Sequence, residues 1–155
     1  MNTAYALLRT GYADWEAASA LAELRRTFGF SVKTLGLAEA TVESMGGLKV
    51  MPDLPLSAFV PESADILILP GGESWTEGEV PQVSEVVRTM VSLSRPVAAI
   101  CAAILALAHG GLLNDRLHTG DSVGMKPTAR VLLGSRWRAS LPIQGGLGGQ
   151  LVRIP

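Results

Sequence analysis

The sequence predicts an α/β protein, a flavodoxin-like three-layer sandwich around a doubly wound, mostly parallel sheet. Three observations carry that prediction. Continuous apolar runs recur at residues 4–8, 65–69 and Val97–Ile100, and strands without polar alternation are those covered on both faces. Segments of helical spacing separate them, at 14–28, 80–93 and 102–109, and a strand–helix alternation builds a parallel sheet. Gly11, Gly71-Gly72 and Cys101 close the runs, so they should converge at the carboxyl edge, where such sheets form their sites.

Taken in order, residues 4–8 read as a buried strand ending at Arg9-Thr10-Gly11. In 14–28, Trp15, Ala18, Leu21, Ala22 and Leu24 suggest one apolar helix face, opposite Glu23, Arg25 and Arg26. Gly29 stops that helix. A second strand follows at 31–35. Residues 41–51 suggest a small hairpin turning at Gly46-Gly47, and 52–62, with three prolines, reads as loop. The strand at 65–69 stops at Pro70-Gly71-Gly72. Val83, Val86, Val87, Met90 and Val91 repeat at helical intervals, and Pro96 breaks that helix. Val97–Ile100 is a buried strand ending at Cys101, and 102–109 turns helical before Gly110-Gly111.

The 155 residues suit one domain, and the apolar share of 48% against 17% charged is that of a globular chain. A formal net charge of −1 offers no basic surface for nucleic acid or an anionic membrane. The 5% aromatic share argues against a platform for stacked bases. One cysteine cannot form an internal disulfide, which fits a reducing, cytoplasmic setting. The first residues lack the pattern of a signal peptide. The longest apolar run, 97–108, is too short to span a bilayer.

Cys101 is the first candidate for chemistry. A strand-to-helix turn exposes a side chain, as in a nucleophile elbow. The amides of a helix start favour the thiolate, against an ordinary thiol pKa of about 8.5. Ala102 is small, so its N–H can face a developing oxyanion. The plainer alternative is a buried structural cysteine. Glu16 either favours the positive end of its helix, with Asp14 as cap, or points inward at Cys101. Gly71 and Gly72 offer close-approach backbone, or an ordinary turn. Trp15 and Trp75 line a pocket or fill the core. His109 sits at a helix end, where it can cap carbonyls, and His118 can start or line a strand near the site. The histidines lack metal-ligand spacing with Cys101, and no phosphate loop or dinucleotide fingerprint is present, so neither metal nor cofactor is expected.

Together these pieces resemble the ThiJ/PfpI superfamily, of the class I glutamine amidotransferase-like fold. The resemblance rests on Tyr5-Ala6-Leu7-Leu8 through Glu16, on Ser44-Met45-Gly46-Gly47-Leu48-Lys49-Val50 with Asp53, and on Leu67-Ile68-Leu69-Pro70-Gly71-Gly72. Val97-Ala98-Ala99-Ile100-Cys101-Ala102, Gly111-Leu112-Leu113-Asn114 and His118-Thr119-Gly120 extend it across 4–123. It implies Cys101 as nucleophile, Glu16 as the acid touching the sulfur, and the Gly72 and Ala102 amides as oxyanion donors. His118 joins them as a catalytic candidate, and Gly71, Trp75 and Asp14 as pocket. The implied function is cysteine-dependent work on a small carbonyl or amide substrate, or a peptide, of amidase/peptidase or glyoxalase/deglycase type. The implied alternative is a non-catalytic redox-sensing or stress-response protein with an oxidisable cysteine. The implied assembly is a homodimer.

The chain departs from the pattern in places. Ala102 stands where PfpI-type proteases have a histidine, and Ala103-Ile104 where many members have Gly-Pro. His118 is offset from the family's site histidine. From Met125 to Pro155 there is no Asp or Glu, and glycines cluster at 145–146 and 148–149. Only 130–133 and Leu151–Ile154 have strand character there. The expectation is a family domain at 1–124 and an atypical tail at 125–155 that completes or decorates it. A reading-frame change between Ser122 and Lys126 would account for the tail, and would leave a degenerate remnant as a third possibility.

Overall fold

A computed structural model describes residues 1–77 and 81–114, together with three strands further on. Strands β1 (Thr3–Leu7), β2 (Ser31–Gly36), β5 (Leu54–Pro55), β6 (Ile66–Leu69), β7 (Val97–Ile100) and β10 (Leu151–Ile154) form one sheet, in the order β10-β7-β6-β1-β2-β5. Every pairing in it is parallel except that of β10 on β7. The chain runs outward from β1 through β2 to β5, then returns to β6 on the other side. The strand order therefore reverses at β1/β6, where a crevice opens at the carboxyl edge of such a sheet. Strands β3 (Val42–Glu43) and β4 (Lys49–Val50) make the expected antiparallel hairpin, and β8 (His118–Gly120) pairs in parallel with β9 (Trp137–Ala139).

Alternation along the strands divides the core. Tyr5, Leu7, Leu35, Leu67, Leu69, Val97 and Ala99 face helices α2 (Pro81–Ser92) and α3 (Ile104–His109), meeting Val83, Val87, Met90 and Leu107. Ala6, Leu8, Ile68, Ala98 and Ile100 face the other way, toward α1 (Asp14–Arg26). Each large side chain buried here contributes about 1.5–3 kcal/mol relative to exposure.

Several expectations need correction. Helix α1 buries Ala17 and half-buries Leu21 and Leu24, while Trp15 is 54% exposed and Ala18 and Ala22 face solvent. Positions i, i+4 and i+7 win over the neighbouring row because a narrow alanine can approach the sheet. The N-cap of α1 is Ala13, without a side-chain cap bond; Asp14 is engaged elsewhere. The segment 52–62 holds the edge strand β5 and two 3₁₀ turns, Leu56–Ala58 and Pro61–Ser63. Strand β9 has no counterpart among the expected strands, and residues 130–133 lie outside those described.

At the amino edge, Asp65 accepts from the Thr3 amide at 2.8 Å and pairs with Arg95 at 2.8 Å, tying the approaches to β1, β6 and β7. Along the β2 side, Asp53 accepts from the Thr34 amide at 2.7 Å and the Thr34 hydroxyl at 2.8 Å. Those bonds hold the Asp53 carboxyl below its ordinary value. A depressed folded-state pKa adds stability above the unfolded value of about 3.9, lost as pH falls through the folded value. Asp53→Asn should therefore lower stability at pH 7 by about 0.5–1 kcal/mol, discounted for the exposure of the pair. Urea melts of the two proteins should converge as pH falls through the depressed folded-state value of Asp53.

Candidate active site

The buried strand β7 fixes the position of Cys101. Val97 to Ile100 are all buried, so the strand cannot shift without exposing apolar surface. The chain must then turn at once into the 3₁₀ turn Cys101–Ala103 and α3. Cys101 makes that turn at φ +51°. A left-handed backbone at a non-glycine residue costs of order 1–3 kcal/mol and persists only where its surroundings enforce it. Cys101 is half-buried and in no disulfide.

Glu16 lies in the first turn of α1 and turns inward. Its Oε2 accepts a hydrogen bond from the Gly71 amide at 2.5 Å. A Cβ placed on Gly71 would stand 2.6 Å from Glu16 Oε2 and 2.8 Å from Cys101 Cβ. The carboxylate and the cysteine thus share the space that a single methyl group on Gly71 would take. The next residue is equally confined. A Cβ on Gly72 would stand 2.6 Å from the Gly11 carbonyl oxygen. Gly72 bridges Tyr12, and the Gly71 carbonyl accepts from the Ala13 amide at 3.0 Å.

The other candidates divide. Ala102 follows Cys101 in the 3₁₀ turn, half-buried. Trp75 is 4% exposed and belongs to the core; its indole N–H donates to the Pro70 carbonyl at 2.8 Å. It braces the Gly71 loop. Asp14 accepts from the Gly46 amide at 2.8 Å, which ties α1 to the β3–β4 hairpin. The Ser44 hydroxyl, then the Gly46 amide, hold its carboxyl below the usual range. Burial and the Asp14 charge push the Tyr12 phenol up. His109 ends α3. His118 opens β8, and its side chain lies outside the described residues. Among the described residues no cluster of His, Cys, Asp and Glu could hold a metal, and no helix is long and apolar enough to cross a membrane.

Sequence reasoning misses Arg9. It is 8% exposed and lies over the Trp75 ring, 4.4 Å from the ring centre. Burial pushes its guanidinium pKa down, and the charge of Glu77 opposes that. Its place just past the first buried run is the available signal, though a charge there reads as solvated until the fold is known.

This arrangement of strand-end cysteine, inward carboxylate and paired glycines coincides with a match to the DJ-1/PfpI family model over residues 2–137. The chain belongs to the DJ-1/PfpI family. One relative, named an uncharacterized protease (YoaZ) of Bacillus subtilis, is 36% identical over 117 residues, covering 71% of this chain and 56% of its own. Another, named a glutathione-independent glyoxalase (DJR-1.2) of Caenorhabditis elegans, is 29% identical over 101 residues, covering 64% of this chain and 54% of its own. The chain thus spans little more than half the length of these relatives. A crystal structure of a DJ-1 superfamily protein of Agrobacterium tumefaciens (Atu0886) superposes with a TM-score of 0.78 at 34% identity, over 89% of this chain and 74% of the other.

Gly71→Ala tests the shared space. Overpacking should cost about 1–3 kcal/mol, and the Glu16 carboxylate or the Cys101 turn must move. A lower melting temperature and a changed rate of Cys101 alkylation are expected together. An unperturbed protein on both counts would mean the two groups do not meet there.

Proposed function

We propose that Cys101 is the nucleophile for a small electrophilic carbonyl compound, with Glu16 as the group that positions it and moves protons. The observation that carries this reading is the strained turn at Cys101, set against an inward carboxylate at Gly71. The thiolate sulfur bonds to the carbonyl carbon, and the C=O π pair moves to oxygen. The Gly71 N–H is committed to Glu16, so the Gly72 and Ala102 N–H groups are the donors proposed for that oxyanion. With a 2-oxoaldehyde, the proton on the attacked carbon transfers to the adjacent carbonyl carbon. The resulting thioester is hydrolysed by water to a 2-hydroxy acid, and the thiol returns. With an amide, the C–N bond breaks, the amine leaves with a proton, and water releases the acid.

The aldehyde route is favoured. Ala102 follows Cys101 where a neighbouring histidine could have protonated a leaving amine, and one relative carries the name glyoxalase. A cytoplasmic setting belongs to the same reading, since a reactive thiolate needs a reducing compartment.

The test is the pH dependence of Cys101 alkylation in wild type and Glu16→Gln, alongside turnover of methylglyoxal and of a small amide. A thiol titrating well below about 8.5, shifted in the variant, is expected, with methylglyoxal turnover lost in Cys101→Ser. Stoichiometric oxidation by low peroxide without turnover would replace this reading with the redox one. A thiol that titrates ordinarily and ignores Glu16 would remove both, leaving a degenerate remnant.

Self-association is part of the proposal. The Asp14–Gly46 bond brings together segments that carry the exposed Trp15, Met45 and Leu48, and grouped exposed apolar side chains mark contact surfaces. Light scattering should give a dimer mass for wild type and a monomer for Trp15→Glu; a monomeric wild type would end this part.

A further inference from the structure

Arg9 stands two residues beyond β1, at the carboxyl edge. Its Nε and Nη1 are buried with no hydrogen-bond partner among the described residues, and so is the Ser74 hydroxyl. The one ion pair among those residues, Arg95–Asp65, is at the opposite edge. A buried guanidinium with no hydrogen-bonded carboxylate is costly, and the charge of Glu77 offsets only part of its desolvation. The Trp75 face offsets part of it through a cation–π contact, yet that contact leaves the in-plane N–H donors unused. The loop that carries Ser74 and the Trp75 ring over which Arg9 lies is beside the reactive turn. The 3₁₀ turn Glu73–Thr76, which carries Ser74 and Trp75, packs against the turn Cys101–Ala103. Strands β1 and β7 flank β6, so the ends that lead to Arg9 and Cys101 are two strand spacings apart, roughly 10 Å. An arginine side chain and a small acid together cover that span.

We propose that Arg9, with the Ser74 hydroxyl, forms an anion subsite that selects small carbonyl substrates carrying a carboxylate. The carboxylate docks on the guanidinium while the carbonyl carbon faces Cys101. A carboxylate suits the donors because a planar guanidinium matches it with two parallel bonds. The inference rests on Cys101 being the nucleophile.

Iodoacetate and iodoacetamide test it on the whole chain. They present the same reacting carbon and leaving group and differ in a carboxylate against a neutral amide. Their rate ratio at Cys101 therefore cancels any change in the thiolate fraction. In wild type the iodoacetate rate should saturate with concentration, and acetate should protect against it but not against iodoacetamide. Arg9→Met should lower the ratio about tenfold or more, as expected for a lost hydrogen bond to a charged group. Arg9→Lys should lower it in part, and Ser74→Ala by less than Arg9→Met. A ratio unchanged in Arg9→Met overturns the proposal. So does full retention in Arg9→Lys, which would indicate a diffuse field and no built subsite. If Arg9→Met does not fold, absence of acetate protection in wild type overturns it instead. Failure of Cys101 to react with either reagent removes the nucleophile reading, and the subsite with it.

Discussion

The hydrogen bond from the Gly71 amide to the Glu16 carboxylate is the constraint on which the site depends. It joins the end of β6 to the first turn of α1, residues 55 positions apart in sequence. A side chain on Gly71 would be driven into both Glu16 and Cys101. The contact therefore requires three things at once: a glycine after β6, a carboxylate one turn into α1, and a β7 that delivers Cys101 to the same point. The strain at Cys101, of order 1–3 kcal/mol, is held by its anchorage. Four buried residues precede it, and Ala103 through Ala108 are buried after it. Burying even two of the larger side chains outweighs the local cost.

The remaining loop polar groups show why the geometry is fixed before a substrate arrives. Pro70 gives its carbonyl to the Trp75 indole, Gly71 gives its carbonyl to Ala13, and Gly72 gives its carbonyl to the Trp75 amide at 3.4 Å. A loop held at three successive carbonyls cannot swing freely. An oxyanion donor on it needs no reorganisation as charge develops, which is where electrostatic stabilisation gains most. Trp75 works through this bracing. Indoles bury well only when their N–H finds an acceptor, and the acceptor here is the residue just before Gly71.

Much of this is legible in the sequence. Unbroken apolar runs mark the central strands, because a strand covered on both faces has no reason to alternate. The small-residue stop after Ile100 marks the strand-to-helix turn. Helical spacing cannot say which way Glu16 points; its inward role comes from resemblance to a family. The face of α1 is ambiguous for a related reason. Asp14–Arg26 is rich in alanine, so two adjacent rows have similar hydrophobicity, and only the distance to the sheet decides between them. Local rules make Asp14 a cap, but the hairpin amide at Gly46 has the stronger claim on it. Strand β5, two residues ending in proline, is too short to leave a periodic signal.

Arg9 shows the limit of local reading most clearly. Its sequence neighbourhood, a charged residue after a strand and before a glycine turn, is that of a solvated loop. Burial comes from tertiary structure alone: the turn after β6 returns across the end of β1 and lays the Trp75 ring against the guanidinium. The same loop thus faces two ionisable groups, donating the Gly71 N–H to the Glu16 carboxyl and offering the Trp75 ring to the Arg9 guanidinium. Fixed charges of opposite sign on either side of one braced loop give the crevice a direction. With the proposed subsite, a ligand bearing both an electrophilic carbon and a carboxylate would fit it in one orientation, whereas a neutral carbonyl compound would meet only half of it.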